Sequence, residues 1–265
     1  MEAITTLSLF VDSLNSARRA KRGAFSVGPM LQSVLMGCID DSYATQLHAS
    51  GFNPYSQYCF ENDKGEVVWK ISALTNEAAD RLIVPASKID SFTLNNLDET
   101  FVVARKQIES FGVNSLLAIL KGETDSSFRV RFVTPTAFKC KGQYVIMPDI
   151  RLIFQNLLMR YNQVYAGDCE IDSETVDYIV QNVKITSYNL RSEYFPRTMA
   201  KADKIPAFVG TVTLHVAGPQ SLKGLVSMLL TFGEASGIGI KTSMGMGGMQ
   251  LIRESSTRKG GTIGR

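Results

Sequence analysis

Apolar and polar positions change rhythm along the chain in a repeated order. From Ile4 to Val11, apolar residues alternate loosely with hydroxyl side chains, the pattern of a strand buried on one or both faces. Leu31, Val34, Leu35, Cys38 and Ile39 then recur at intervals of three and four, which makes one apolar stripe on a helix. That helix should end near His48, because Ala49-Ser50-Gly51 and the pair Asn53-Pro54 do not continue a helix. Strand-like runs follow at Tyr55 to Phe60 and Val67 to Ser72, joined by an Asp/Gly-containing hairpin loop from Glu61 to Gly65. A short helix over Asn76 to Leu82 and a strand over Phe101 to Ala104 complete the first half.

The second half repeats the order with different residues. Phe128, Val130 and Phe132 alternate with Arg129 and Arg131 in a strand, and Pro148-Asp149 opens a helix with the stripe Ile150, Ile153, Phe154, Leu157, Leu158 and Tyr161. Strands over Val183 to Ser187 and Phe208 to Val216 precede a helix with Leu222, Leu225, Val226, Leu229 and Phe232 on one face. A Gly/Met-rich return strand closes the order. Each half therefore reads βαββαβ, the ferredoxin-like α+β arrangement with an antiparallel sheet and both helices on one face. The expected division is residues 1–124, residues 125–254 and a polar, low-complexity tail 255–265 predicted to be disordered.

Composition narrows the chemistry. A length of 265 residues suits two domains, and a formal net charge of +3 is too small to indicate nucleic acid by itself. The cluster Arg18, Arg19, Lys21 and Arg22 is nevertheless a local positive patch, and Arg129 and Arg131 line the polar side of one strand. Cys38, Cys59, Cys140 and Cys169 show neither a C-x-x-C pair nor a nearby histidine, so buried thiols in a reducing cytoplasm are expected, with no metal site. Met1 to Leu9 does not resemble a signal peptide, and no stretch has the length of a membrane span, so a cytoplasmic protein is expected.

The most specific segment runs from Gly233 to Gly248, with six glycines in sixteen residues immediately after a helix. It is not a Walker loop, because Ile240 precedes Lys241, and not G-x-G-x-x-G, because Thr242 and Gln250 occupy the third glycine positions. Glycines let backbone N–H groups approach a phosphate, and Lys241, Thr242 and Ser243 would add charge and donors. One or two glycines would serve an ordinary turn, so the number here favours an anion-binding loop.

Leu230 to Met249, the Thr134-Pro135-Thr136 motif, the helix Pro148 to Tyr161 and the stretch Leu47 to Ser56 together resemble the repeat-cleaving CRISPR-associated endoribonucleases of the RAMP superfamily. The resemblance implies two tandem ferredoxin-like domains that cut precursor CRISPR RNA within each repeat. The ribose 2′-hydroxyl would attack the adjacent phosphate, leaving a cyclic phosphate and a 5′-hydroxyl without metal or cofactor. The implied partners are the precursor CRISPR RNA repeat and other CRISPR effector subunits. His48 matches the family's catalytic position.

Family members commonly add a tyrosine before the histidine and a lysine soon after it. Here the helix offers only Tyr43, and no lysine follows until Lys64, leaving Tyr55, Lys64 and Lys70 as alternative acid or cation donors. The expected RNA contacts are Arg18, Arg19, Arg22, Arg129, Arg131, Gly237, Gly239, Lys241, Thr242, Ser243, Gly245 and Gly247. His215 alternates with Leu214 and Val216 and is expected on a sheet surface without catalytic duty. Two other functions fit the same fold: a non-catalytic RAMP subunit that binds guide RNA, and a small-molecule enzyme on the same superfold.

Overall fold

The computed structural model describes residues 2–12, 23–94, 99–167, 170–196 and 204–253. Arg18, Arg19, Lys21, Arg22, Cys169 and the tail 255–265 lie outside the described residues.

The first half runs β1 (Ala3–Asp12), a 3₁₀ turn (Ala24–Val27), α1 (Gly28–Gly37), α2 (Asp41–Ala49), β2 (Tyr55–Glu61) and β3 (Val67–Ala73). It continues with α3, made of Asn76–Ala78, a π-helical turn Ala79–Ile83 and Val84–Ala86, then β4 (Ser91–Leu94) and β5 (Glu99–Gly112). The sheet order is β2-β3-β1-β5-β4, antiparallel throughout. The single helix expected from Leu31 to His48 is two helices. Gly37 ends the first, and Asp40 caps the second by accepting from the Tyr43 N–H at 2.9 Å. The apolar stripe continues through Cys38 and Ile39, which hides the break from periodicity.

After α4 (Val113–Lys121), the second half runs β6 (Ser127–Thr136), a small hairpin of β7 (Phe138–Cys140) and β8 (Gln143–Val145), α5 (Ile150–Tyr165), α6 (Ser173–Asn182), β9 (Val183–Pro196), β10 (Lys204–Val216), α7 (Gln220–Ser236), a 3₁₀ turn (Thr242–Met244) and β11 (Met249–Ile252). Its sheet order is β11-β6-β10-β9. Each half is a ferredoxin-like βαββαβ unit with its first strand central, and β4, α4, α6 and the β7–β8 hairpin are additions. The expected strands at Phe101 to Ala104 and Val183 to Ser187 belong to the longer β5 and β9. Their extra residues are held by pairing with β1 and β10, a partner that local alternation does not report.

Each half has its own core, and buried residues continue across the seam between them. Leu7, Leu9 and Val11 of β1 face the first core, whereas Ile4 belongs to the second. Strands β2 and β3 are buried on both faces along most of their length. On the side facing the second half, the Ser56 hydroxyl donates to the Ala235 carbonyl and the Lys70 ammonium donates to the Glu234 carbonyl at 3.0 Å. A third apolar cluster joins Phe25 from the turn before α1 to Ala137, Phe195, Ile205, Ala207 and Met246. Among the described cysteines, Cys59 is buried and Cys38 half-buried, but Cys140 is exposed on β7, contrary to the expectation of buried thiols. No helix of the described residues is long and apolar enough to cross a membrane.

Candidate active site

His48 stands in the last turn of α2, exposed, while its neighbours Tyr43 and Leu47 bury one face of that helix. The chain then turns sharply: the Ser50 hydroxyl accepts from the Phe52 N–H at 3.1 Å and donates to the Phe52 carbonyl at 2.6 Å. Phe52 packs against the second core, so the loop that follows His48 is anchored to the other half of the molecule. The result is a cleft of about 590 Å³ on the seam, lined by α1, α2 and this loop on one side and by α5 and the glycine-rich loop on the other. His48, Tyr55, Gly239, Lys241, Thr242 and Ser243, all picked out in the sequence, line this one cleft.

The glycine-rich loop owes its composition largely to close packing. Helix α7 extends to Ser236, and Gly237 ends it at φ +66°. A Cβ on Gly247, at φ +71°, would lie 1.9 Å from the Ile238 carbonyl oxygen, and one on Gly245 would lie 2.9 Å from the Cα of Gly28 in α1. The loop's donors are mostly spent internally. The N–H groups of Gly237, Gly239 and Gly247 go to the Gly233 carbonyl, the Asn156 side-chain oxygen and the Pro135 carbonyl, at 3.0, 2.8 and 3.0 Å. Six glycines therefore find a reason in the fold, and the polar groups that the loop carries into the cleft are the side chains of Lys241, Thr242 and Ser243. Lys241 is exposed and holds a left-handed conformation at φ +57°, which a non-glycine residue adopts at some cost where surrounding structure enforces it.

Two cleft residues carry further chemistry. The Tyr55 phenol accepts from Gln32 at 3.5 Å, and burial pushes its pKa up, so the ring keeps its proton. Arg160, on α5, is the only charged side chain in the buried class among the described residues, 8 % exposed. Its Nε and Nη2 have no hydrogen-bond partner among the described residues, its guanidinium lies 5.6 Å from the Phe52 ring centroid, and burial lowers its pKa to about 10, which leaves it charged at neutral pH. Sequence reasoning passed over Arg160, although a charge among Ile153, Phe154, Leu157 and Val164 on one helix face was a visible signal.

The remaining sequence candidates lie elsewhere. Tyr43 does not line the cleft; its ring is buried under the Arg81 guanidinium at 4.3 Å, and burial raises its phenol to about 12. Lys64 sits exposed in the β2–β3 turn, where its N–H donates to the Asn62 side chain. Arg131 pairs with Asp63 at 2.7 Å across the seam, and Lys70 is spent on the Glu234 carbonyl. Arg129 and His215 line a second, larger depression of about 900 Å³ beside the second sheet, together with the exposed Tyr188 and with Ser227 and Thr231 of α7. Gly245 lies at the packed back of the loop, away from the cleft lining.

Comparison with known proteins gives the family and the fold. Residues 130–249 match the family model described as CRISPR-associated endoribonuclease Cas6. Over 235 residues the chain is 37% identical to a CRISPR-associated endoribonuclease Cas6 of Streptococcus thermophilus, covering 88% of this chain and 95% of that one. A Cas6 of Mycobacterium tuberculosis is 36% identical over 250 residues, 93% of this chain and 77% of its own. Among solved structures, a Cas6 product complex superposes with a TM-score of 0.73 at 19% identity over 95% of this chain and 100% of that chain. A Thermus thermophilus Cas6 gives 0.63 at 18%, over 95% and 99%. These two share the fold.

Proposed function

The chain belongs to the CRISPR-associated endoribonuclease Cas6 family, and on that premise we propose that it cuts precursor CRISPR RNA within each repeat by internal attack of a ribose 2′-hydroxyl. It is an endoribonuclease, which decides between the functions that its fold alone leaves open. The observation that carries the finer reading is the single cleft in which His48 meets Lys241, Thr242 and Ser243 from the other half.

In the proposed reaction the 2′-oxygen bonds to phosphorus as the bond from phosphorus to the 5′-oxygen breaks. The 2′-proton is taken up and the 5′-oxygen is protonated, giving a 2′,3′-cyclic phosphate and a 5′-hydroxyl with no metal ion. His48 serves as the general acid or base, since an exposed imidazole at a turn is the group in this cleft suited to moving a proton at neutral pH. The Tyr55 phenol, almost fully buried, keeps its proton and holds Gln32 on the cleft wall. Lys241 at the rim contacts the RNA backbone, with Thr242 and Ser243 beside it.

The test is incubation of the protein with labelled repeat RNA in excess EDTA, beside a substrate with a 2′-deoxy group at the cleavage site. One specific cut in EDTA, abolished by the 2′-deoxy group, is expected. A cut that survives the 2′-deoxy substitution, or that needs a divalent ion, overturns the mechanism. Lys241→Ala should weaken repeat binding and flatten the plot of log affinity against log salt by about 0.7–0.9, the contribution of one phosphate contact. An unchanged slope in a filter-binding titration removes Lys241 from the backbone contacts.

A further inference from the structure

The proposed reaction needs a positive charge at the phosphate, and the lysine expected soon after His48 is missing. The next lysine, Lys64, lies in the β2–β3 turn and not in the cleft. Resting on the nuclease reading, we propose that Arg160 supplies that charge, its guanidinium holding the phosphate at the cleavage site beside His48.

Several observations converge on Arg160. It lines the same cleft as His48, and Phe52, the ring nearest its guanidinium, is the fourth residue after His48 on the loop that shapes the cleft. Among the described residues two of its guanidinium nitrogens are unpartnered, and burial is what lowers its pKa. A buried cation without a counter-ion is retained against a steep desolvation penalty, and an anion entering the cleft would remove that penalty. The planar guanidinium fork matches two oxygens of a phosphate, which a lysine matches only as a point charge.

Chemically, the phosphodiester carries one negative charge, and the five-coordinate transition state gathers a second on its non-bridging oxygens. A preorganised cation in a partly dry site stabilises that added charge more than it stabilises the bound substrate. Arg160 thus acts on the rate of cutting, whereas Lys241, exposed at the rim, acts on binding.

The experiment compares full-length wild type, Arg160→Met, Arg160→Gln and Arg160→Lys in single-turnover cleavage at saturating protein, in affinity for the uncleavable 2′-deoxy repeat, and in thermal unfolding without RNA. Arg160→Met and Arg160→Gln should lose roughly 10²–10³-fold in rate, the usual effect of removing one donor to a developing anion. Arg160→Lys should recover part of that loss, and Arg160→Met should melt no lower than wild type, because it removes an uncompensated buried charge. Cutting by Arg160→Met at the wild-type rate overturns the proposal while leaving the nuclease reading intact. So does a lowered melting temperature shared by all three variants with Lys no more active than Met, the signature of a purely structural arginine. Failure of wild type itself to cut repeat RNA overturns both.

Discussion

His48→Ala slows single-turnover cleavage of a repeat RNA by roughly 10²–10⁴-fold, the usual contribution of a positioned acid or base, while the variant still binds RNA and melts with wild type. The separation of rate from stability follows from its position. Leu47 and Tyr43 bury the face of α2 that holds the helix in place, and His48 is exposed and lines the same cleft as Lys241. Replacing an exposed side chain that makes no capping hydrogen bond and packs in no core changes stability by about 0.5 kcal/mol or less. His215→Ala is the matched control: the other histidine is also exposed, but it lies against the second sheet, and its loss leaves the rate unchanged. Normal cleavage by the His48 variant removes that residue from the mechanism.

Gly247→Ala is expected to destabilise the fold by about 2–5 kcal/mol, combining about 1–2 for a left-handed backbone with a side chain and about 1–3 for overpacking. The new Cβ would lie 1.9 Å from the Ile238 carbonyl oxygen, and backbone on both sides resists the shift. Gly247 accepts from the Ile238 N–H at 2.9 Å and donates to the Pro135 carbonyl at 3.0 Å, so moving it breaks the loop's attachment to β6. A loss of that size is a large fraction of a domain's stability. Urea unfolding followed by far-ultraviolet circular dichroism measures it, and RNA binding should fall in the same variant because Lys241 is carried on the displaced loop. A variant that melts with wild type yet binds no RNA would instead assign Gly247 to the RNA surface.

The element order was legible because each amphipathic stripe is long enough to declare its period. Boundaries were less so: α1 and α2 share one stripe across Gly37 to Ile39, and the outer parts of β5 and β9 are strands only because a partner holds them. The site was legible in part. His48 and Lys241 could be placed at a helix end and in a glycine-rich loop, but nothing local says that they face each other across a seam. The glycines were read as letting backbone N–H groups approach a phosphate, whereas the close approach that the structure shows is to protein atoms. Tyr43 and Lys64 illustrate the limit of sequence proximity: five residues before His48 is the core of α2, and sixteen after it is a distant turn.

The burial of β2 and β3 on both faces reaches beyond the site. An isolated βαββαβ unit keeps one sheet face wet, and there it can present rings to single-stranded RNA. Here the β2–β3 part of that face in the first half is covered by α7 and its loop, so shedding either half would expose apolar surface. Residues on either side of the seam are therefore expected to change together, which paired substitutions among relatives would show.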